Sequence, residues 1–144
     1  MGKAYKKSPD KTPKVEEPIA IYRTVKKIPV VADYTYKQFE KISSKVPFSL
    51  KEWASILHLS ERTLQRYAKD NKHIEGIYVD RILHIEELID TGLTIFKTPE
   101  AFYEWLKQDK KVLGHVLNFD SLYNTRGITE TLDQLVRIQH GVYT

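Results

Sequence analysis

Apolar residues recur along the chain at intervals of three and four, the spacing that puts them on one face of a helix. Phe39, Ile42 and Val46 follow a Thr35/Gln38 capping pair and predict a helix that ends before Pro47. Ser49 and Glu52 form a capping box ahead of Leu50, Trp53, Ala54 and Leu57. His58 and Leu59 break the period, and Ser60 caps a further helix with Leu64, Tyr67 and Ala68 on its apolar face. Residues 77–91 predict a longer helix carrying Tyr78, Ile82, Ile85, Leu88 and Ile89 on one side and stopped by Gly92. Thr98-Pro99-Glu100 is a strong start signal for a helix burying Phe102, Trp105 and Leu106. Residues 112–124 look irregular, with a turn at Gly114 and one short helix over 120–123. Gly127 precedes a last helix in which Ile128, Leu132, Leu135 and Val136 repeat up to His140. No stretch carries the period of a strand, so the expected class is all-α.

The pair of caps at Ser49 and Ser60, with a short break between, describes a helix-turn-helix. Ala54 supplies the small residue that two steeply crossing helices need at closest approach. Leu59 plugs the corner, and Trp53, Leu57, Leu64 and Tyr67 fill the space behind. Ser60, Glu61, Arg62, Thr63, Gln65, Arg66 and Lys69 are left at the start and on the outer face of the second helix. That set can hydrogen-bond base edges and neutralise phosphates, which makes them the expected DNA-binding residues. Glycine would be the easier residue at the first position of the turn, where positive φ is needed; His58 stands there instead. One head of this size reads few base pairs, so a homodimer is expected, with half-sites roughly 34 Å apart.

Composition narrows the chemistry. Among 144 residues there is no cysteine, which removes disulfides and thiolate chemistry and fits a reducing, cytoplasmic setting. No apolar run approaches the roughly 20 residues of a membrane span, and the Lys-rich start lacks the apolar region of a signal peptide. His58, His73, His84, His115 and His140 show no helical pairing of ligands, with His84 expected at the edge of the core. With no Gly-rich phosphate loop or His-Glu metal motif either, no reaction centre can be assembled: the chain is not expected to be an enzyme, and no cofactor or metal is expected.

The net charge of +4 is unevenly placed. Residues 1–48 hold 11 basic and 5 acidic side chains, residues 49–92 hold 6 and 8, and the remainder 6 of each. Residues 1–18 are rich in Lys and Pro and are expected to be extended or disordered, either a solubilising extension or a source of phosphate contacts. Between Ile19 and Val31 the chain is too apolar for an idle linker and is expected to lie against the domain or a partner. The expected division is a flexible or partner-contacting tail over 1–33, a helix-turn-helix domain over 34–92 and a small helical domain over 93–144.

From about Phe48 to the end, the order of pieces resembles the Xre/MbcA/ParS antitoxin family. The likeness is carried by Ser60-Glu61-Arg62-Thr63-Leu64-Gln65-Arg66, by Pro99-Glu100-Ala101 with Trp105-Leu106, by Leu113-Gly114, by Phe119-Asp120-Ser121-Leu122, by Gly127, and by the ending Arg137-Ile138-Gln139-His140-Gly141-Val142-Tyr143. Departures are Asn118, where the family commonly has proline, and Val136 and Gln139, which replace a glycine and a glutamate.

The resemblance implies an Xre-like head followed by a toxin-binding domain, in the antitoxin of a type II toxin-antitoxin pair. The implied partner is a RES-domain toxin that consumes NAD or transfers its ADP-ribose, and the complex is implied to bind operator DNA and repress its own operon. The toxin-contacting end would be Arg137, His140, Gly141, Val142, Tyr143 and Thr144. A slim backbone at Gly141, the ring of Tyr143 and a terminal carboxylate suit a cleft built for a pyrophosphate and flat rings. The alternative is a free-standing repressor whose C-terminal part serves dimerisation or effector sensing.

Overall fold

The computed structural model describes residues 34–141. Six helices make up most of it: α1 (Tyr36–Ser43), α2 (Leu50–Leu57), α3 (Glu61–Asp70), α4 (Gly76–Ile95), α5 (Pro99–Lys107) and α6 (Thr125–Gln139). Between α5 and α6 lie two short strands, β1 (Lys110–Val112) and β2 (His115–Leu117), and a 3-10 helix, Phe119–Tyr123. The tail over residues 1–33 and the last three positions, Val142, Tyr143 and Thr144, lie outside the described residues. No described helix is long and apolar enough to cross a membrane.

Local signals set most of the helix starts. Ser49 Oγ accepts from Glu52 N–H at 3.0 Å while Glu52 Oε1 accepts from Ser49 N–H at 2.8 Å, which satisfies two otherwise orphaned donors of α2. Thr98 Oγ1 does the same for Ala101 N–H at 3.0 Å, with Pro99 at the first helical position of α5.

Two glycines act differently from the sequence expectation. Gly92 does not stop α4, which runs on to Ile95. It sits buried inside the helix, where an added Cβ would lie 2.3 Å from the ring of Phe102, itself fully buried; the missing side chain lets α5 dock. Gly127 does not precede α6 but is its third residue, the helix being capped by Asn124, whose Oδ1 accepts from Gly127 N–H at 2.8 Å. A Cβ at Gly127 would fall 1.8 Å from the carbonyl oxygen of Ser121, so the 3-10 helix can lie directly across the start of α6.

The strands were not expected. Their pairing is antiparallel, Lys110 with Leu117 and Val112 with His115, joined through Leu113 (φ 52°) and Gly114 (φ 83°). Positive φ at both central residues is the two-residue turn whose twist matches a hairpin. Three-residue strands and a leucine where Asn or Gly is usual leave little for a periodicity to reveal.

One buried cluster runs through both halves of the described chain, from Phe39, Trp53 and Leu64 to Phe102, Leu122 and Leu135. Val79 is part of it, while Ala68 and His84, expected on or at the core, are exposed. On α6 the inward face is Ile128, Thr131, Gln134 and Leu135, and Val136 turns outward. Thr131 is buried without penalty because its hydroxyl donates to Gly127 O at 2.7 Å.

Candidate functional site

The turn between α2 and α3 keeps the geometry that a glycine would adopt. His58 has φ 60° and ψ 39°, a left-handed conformation that costs a non-glycine residue but is more often accepted by His than by branched residues. Its imidazole adds something glycine has not: Nε2, in the tautomer that carries the proton there, donates to the carbonyl oxygen of Tyr123. Leu59 is half-buried in the corner, and Ser60 Oγ accepts from Thr63 N–H at 3.0 Å to start α3.

Only Leu64 of α3 is buried. Ser60, Glu61, Arg62, Gln65, Arg66 and Lys69 are all exposed. Positions 62, 66 and 69 share a helix face, so two guanidiniums and an ammonium form one outward ridge. Thr63 differs from the rest of the set: it is half-buried, and its Oγ1 accepts from Ser60 Oγ at 2.9 Å, which ties it into the cap. Glu61 lies in the first turn, where its negative charge complements the helix dipole.

The end of α3 is anchored by contacts that periodicity did not disclose. Asn71 ends the helix in a left-handed conformation, and its Oδ1 accepts from Lys37 N–H at 3.1 Å. Tyr36 N–H donates to Lys72 O at 3.1 Å, Ile74 N–H donates to Tyr34 O at 2.8 Å, and Thr35 bridges His73. Lys37, Lys72 and His73 are exposed beside α3. The usable signal was Asn71, a residue that ends helices in this conformation and accepts through its side chain.

The C-terminal surface is built differently. Arg137, half-buried, lines a concavity of about 240 Å³ with Val112, Leu113, His115, Arg126 and Asp133 among its walls. Leu113, at the hairpin tip, is 77% exposed. His140 and Gly141 are exposed beyond the end of α6; Gly141 has φ +76° and its N–H donates to Ile138 O at 3.0 Å, a common way to close a helix. The remaining toxin-contact candidates, Val142, Tyr143 and Thr144, lie outside the described residues.

The helix-turn-helix is tied to the C-terminal part at the two ends of α2. Tyr103 OH donates to the Glu52 carboxylate, 2.9 Å from each oxygen, while His58 meets Tyr123 across the turn. Between them Phe48 packs at 4.9 Å on Phe119 and 5.2 Å on Trp53. Burial, and then the hydrogen bond to Glu52, push the Tyr103 hydroxyl up to about 12. Asn118, standing where the resemblance has proline, accepts from Asp120 N–H at 3.0 Å and donates through Nδ2 to Asp109 at 3.0 Å, capping the 3-10 helix with its own side chain. Lys110 Nζ donates to Trp105 O at 2.7 Å, closing the last turn of α5; burial pushes its ammonium down to about 8 against the opposing pull of Asp109.

Comparison with protein-family models returns no match, and comparison with curated proteins returns none either.

Proposed function

We propose that this protein is a DNA-binding antitoxin that uses α3 to hold operator DNA as a homodimer and its C-terminal end to block the active site of a RES-domain toxin. The observation that carries the reading is the face of α3: Arg62, Arg66 and Lys69 project outward from a helix anchored by one buried leucine. Such a face contributes little to folding and has the donors to contact guanine edges and phosphates. Support for the second half is the order of motifs from Pro99 to Tyr143, together with an α6 that ends in an exposed His140-Gly141 pair leading into the last three residues. The protein does its work without chemistry of its own, through shape and charge at two surfaces.

The test has two arms. Arg62→Ala/Arg66→Ala in the full chain is expected to weaken binding to duplex DNA from upstream of its own coding sequence, by about 1–3 kcal/mol for each arginine that bonds a guanine through two N–H groups. Removal of residues 140–144 is expected to leave DNA binding nearly intact and to abolish rescue of cells expressing the co-transcribed toxin. Rescue by the truncated chain would sink the blocking role and leave the free-standing repressor as the better account. An unchanged footprint for the double alanine variant would remove α3 as the DNA-contacting face.

A further inference from the structure

The hairpin between α5 and α6 carries two costs that nothing inside the fold offsets. Leu113 holds φ 52° at the first central position of the turn, a conformation that Asn or Gly adopts with less strain. Its side chain is 77% exposed, so the leucine adds little burial. Val116 on β2 is 52% exposed as well. An Asn-Gly turn would close the same hairpin without the strain and without the exposed apolar group. Local folding gives no reason for a leucine here.

Beside this projection lies the concavity of about 240 Å³, lined by buried Val112 and by residues of α6. His115 joins it to a second concavity of about 240 Å³ that Val116 lines. The charges around the first are of both signs. Arg126 is paired with Glu130 at 2.9 Å. Half-buried Arg137 and exposed Asp133 stand one turn apart on α6, and among the described residues neither is in an ion pair. One face thus presents an apolar projection, a hollow with an apolar wall, an unpaired cation and an unpaired anion. Each of the four has its complement on that same face. An isologous two-fold contact requires this, because residue i of one copy meets residue j of the other and j meets i. A patch of one sign would repel its own copy, whereas this one is balanced.

We infer that this face is where two copies of the chain meet. Leu113 of each copy enters the hollow of the other, and Arg137 of each bonds Asp133 of the other. The inference rests on the homodimer in the reading above, for which it names the surface. Arg137 then serves the dimer, and the exposed His140-Gly141 end of α6 is left for the toxin.

The experiment is sedimentation equilibrium on the full chain over a concentration series, with thermal unfolding followed where the wild type is monomeric. Leu113→Asn is expected to weaken self-association at least about 100-fold, because a leucine is lost from both symmetry-related contacts. The melting temperature of its monomer is expected to stay level or rise, since Asn-Gly suits the turn better. Arg137→Asp is expected to dissociate the dimer by setting carboxylate against carboxylate. The exchange Arg137→Asp/Asp133→Arg is expected to restore it.

Either single variant associating like wild type would overturn this face and leave the homodimer to another surface. A charge exchange that stays monomeric would do the same, since reciprocal partners regain their contact when swapped and a damaged fold does not. A Leu113→Asn monomer less stable than wild type would give the leucine a duty inside the fold and remove the ground of the inference. A Leu113→Asn chain that dimerises normally but no longer neutralises the co-expressed toxin would assign the projection to the toxin instead. Wild type that stays monomeric throughout would sink this face and the homodimer together.

Discussion

Helices α3 and α6 carry similar shares of apolar residues, three of ten and five of fifteen, and are used in opposite ways. α3 buries one of its ten residues, Leu64, while α6 buries Gly127, Ile128, Thr131, Gln134 and Leu135 of fifteen. α6 packs along α4 and under the 3-10 helix, and α3 only leans on α1 and α2. A helix held by one leucine and two caps leaves its charged positions free of folding duties. A helix wedged on three sides has few positions to spare, and its interior polar groups must be satisfied, as Thr131 is by Gly127 O. The contrast separates residues that can be changed to test binding from residues that can be changed only by damaging the fold.

The sharpest way to break the contrast is at the wedge. Gly127→Ala places a Cβ on the backbone oxygen of Ser121, which is not the movable end of a side chain, so a loss of about 3 kcal/mol or more in denaturant unfolding is expected. Stability close to wild type would mean that the 3-10 helix does not lie across α6 as described. On the other helix, Leu64→Ala removes the single buried anchor and should cost about 2–3 kcal/mol, with α3 exchanging its amides faster than α6.

A smaller effect is expected where the two regions are joined. Tyr103→Phe deletes the hydrogen bond to Glu52 and should cost about 1 kcal/mol near neutral pH. It should also change the alkaline limb of stability. Tyr103 ionises at about 12 when folded against 10.0 as a free side chain, so the unfolded chain sheds its proton first as pH rises. The stabilisation is complete below pH 10 and is lost as pH climbs towards 12. Tyr34, likewise raised to about 12 by burial and by the charge of Glu86, remains in the variant. The fall of the melting temperature over that window should therefore become shallower without vanishing; an unaltered slope would show that Tyr103 is not held neutral by this contact.

Least of all should happen to stability at the outward ridge. Arg62→Ala/Arg66→Ala is expected to leave unfolding within about 0.5 kcal/mol of wild type, since both side chains are exposed and neither supports the core. A marked destabilisation would mean the ridge has a structural duty, and any loss of DNA binding by the variant would then need another explanation.

The helix-turn-helix was legible because its signals are local. Ser49-Glu52 and Ser60 act within one turn of the residues they cap, and the outward set on α3 follows from the angle of about 100° per residue around a helix. His58 was legible as a misfit in the turn, but its contact with Tyr123 was not, because the partner stands 65 positions away. The short hairpin escaped for the opposite reason: Lys110–Val112 and His115–Leu117 are too brief to show a period, and Leu113 takes a positive φ that its side chain disfavours. On α6 the expected face was rotated, since Thr131 and Gln134 look polar in a sequence but lie inward.

Taken alone, the sequence determined where most helices begin, which face of α3 is charged, and which end of the chain carries the excess of lysine. Tertiary structure alone decided what the glycines are for. Gly92 and Gly127 read as helix punctuation, yet each marks a place where another element, Phe102 in one case and the Ser121 backbone in the other, comes too close for a side chain. It also decided that the chain enters beside α3, through the pairing of Thr35 with His73. The physical reason is range. Capping and helical periodicity are encoded within four or five residues, whereas close approach and chain entry depend on which distant surfaces the core brings together.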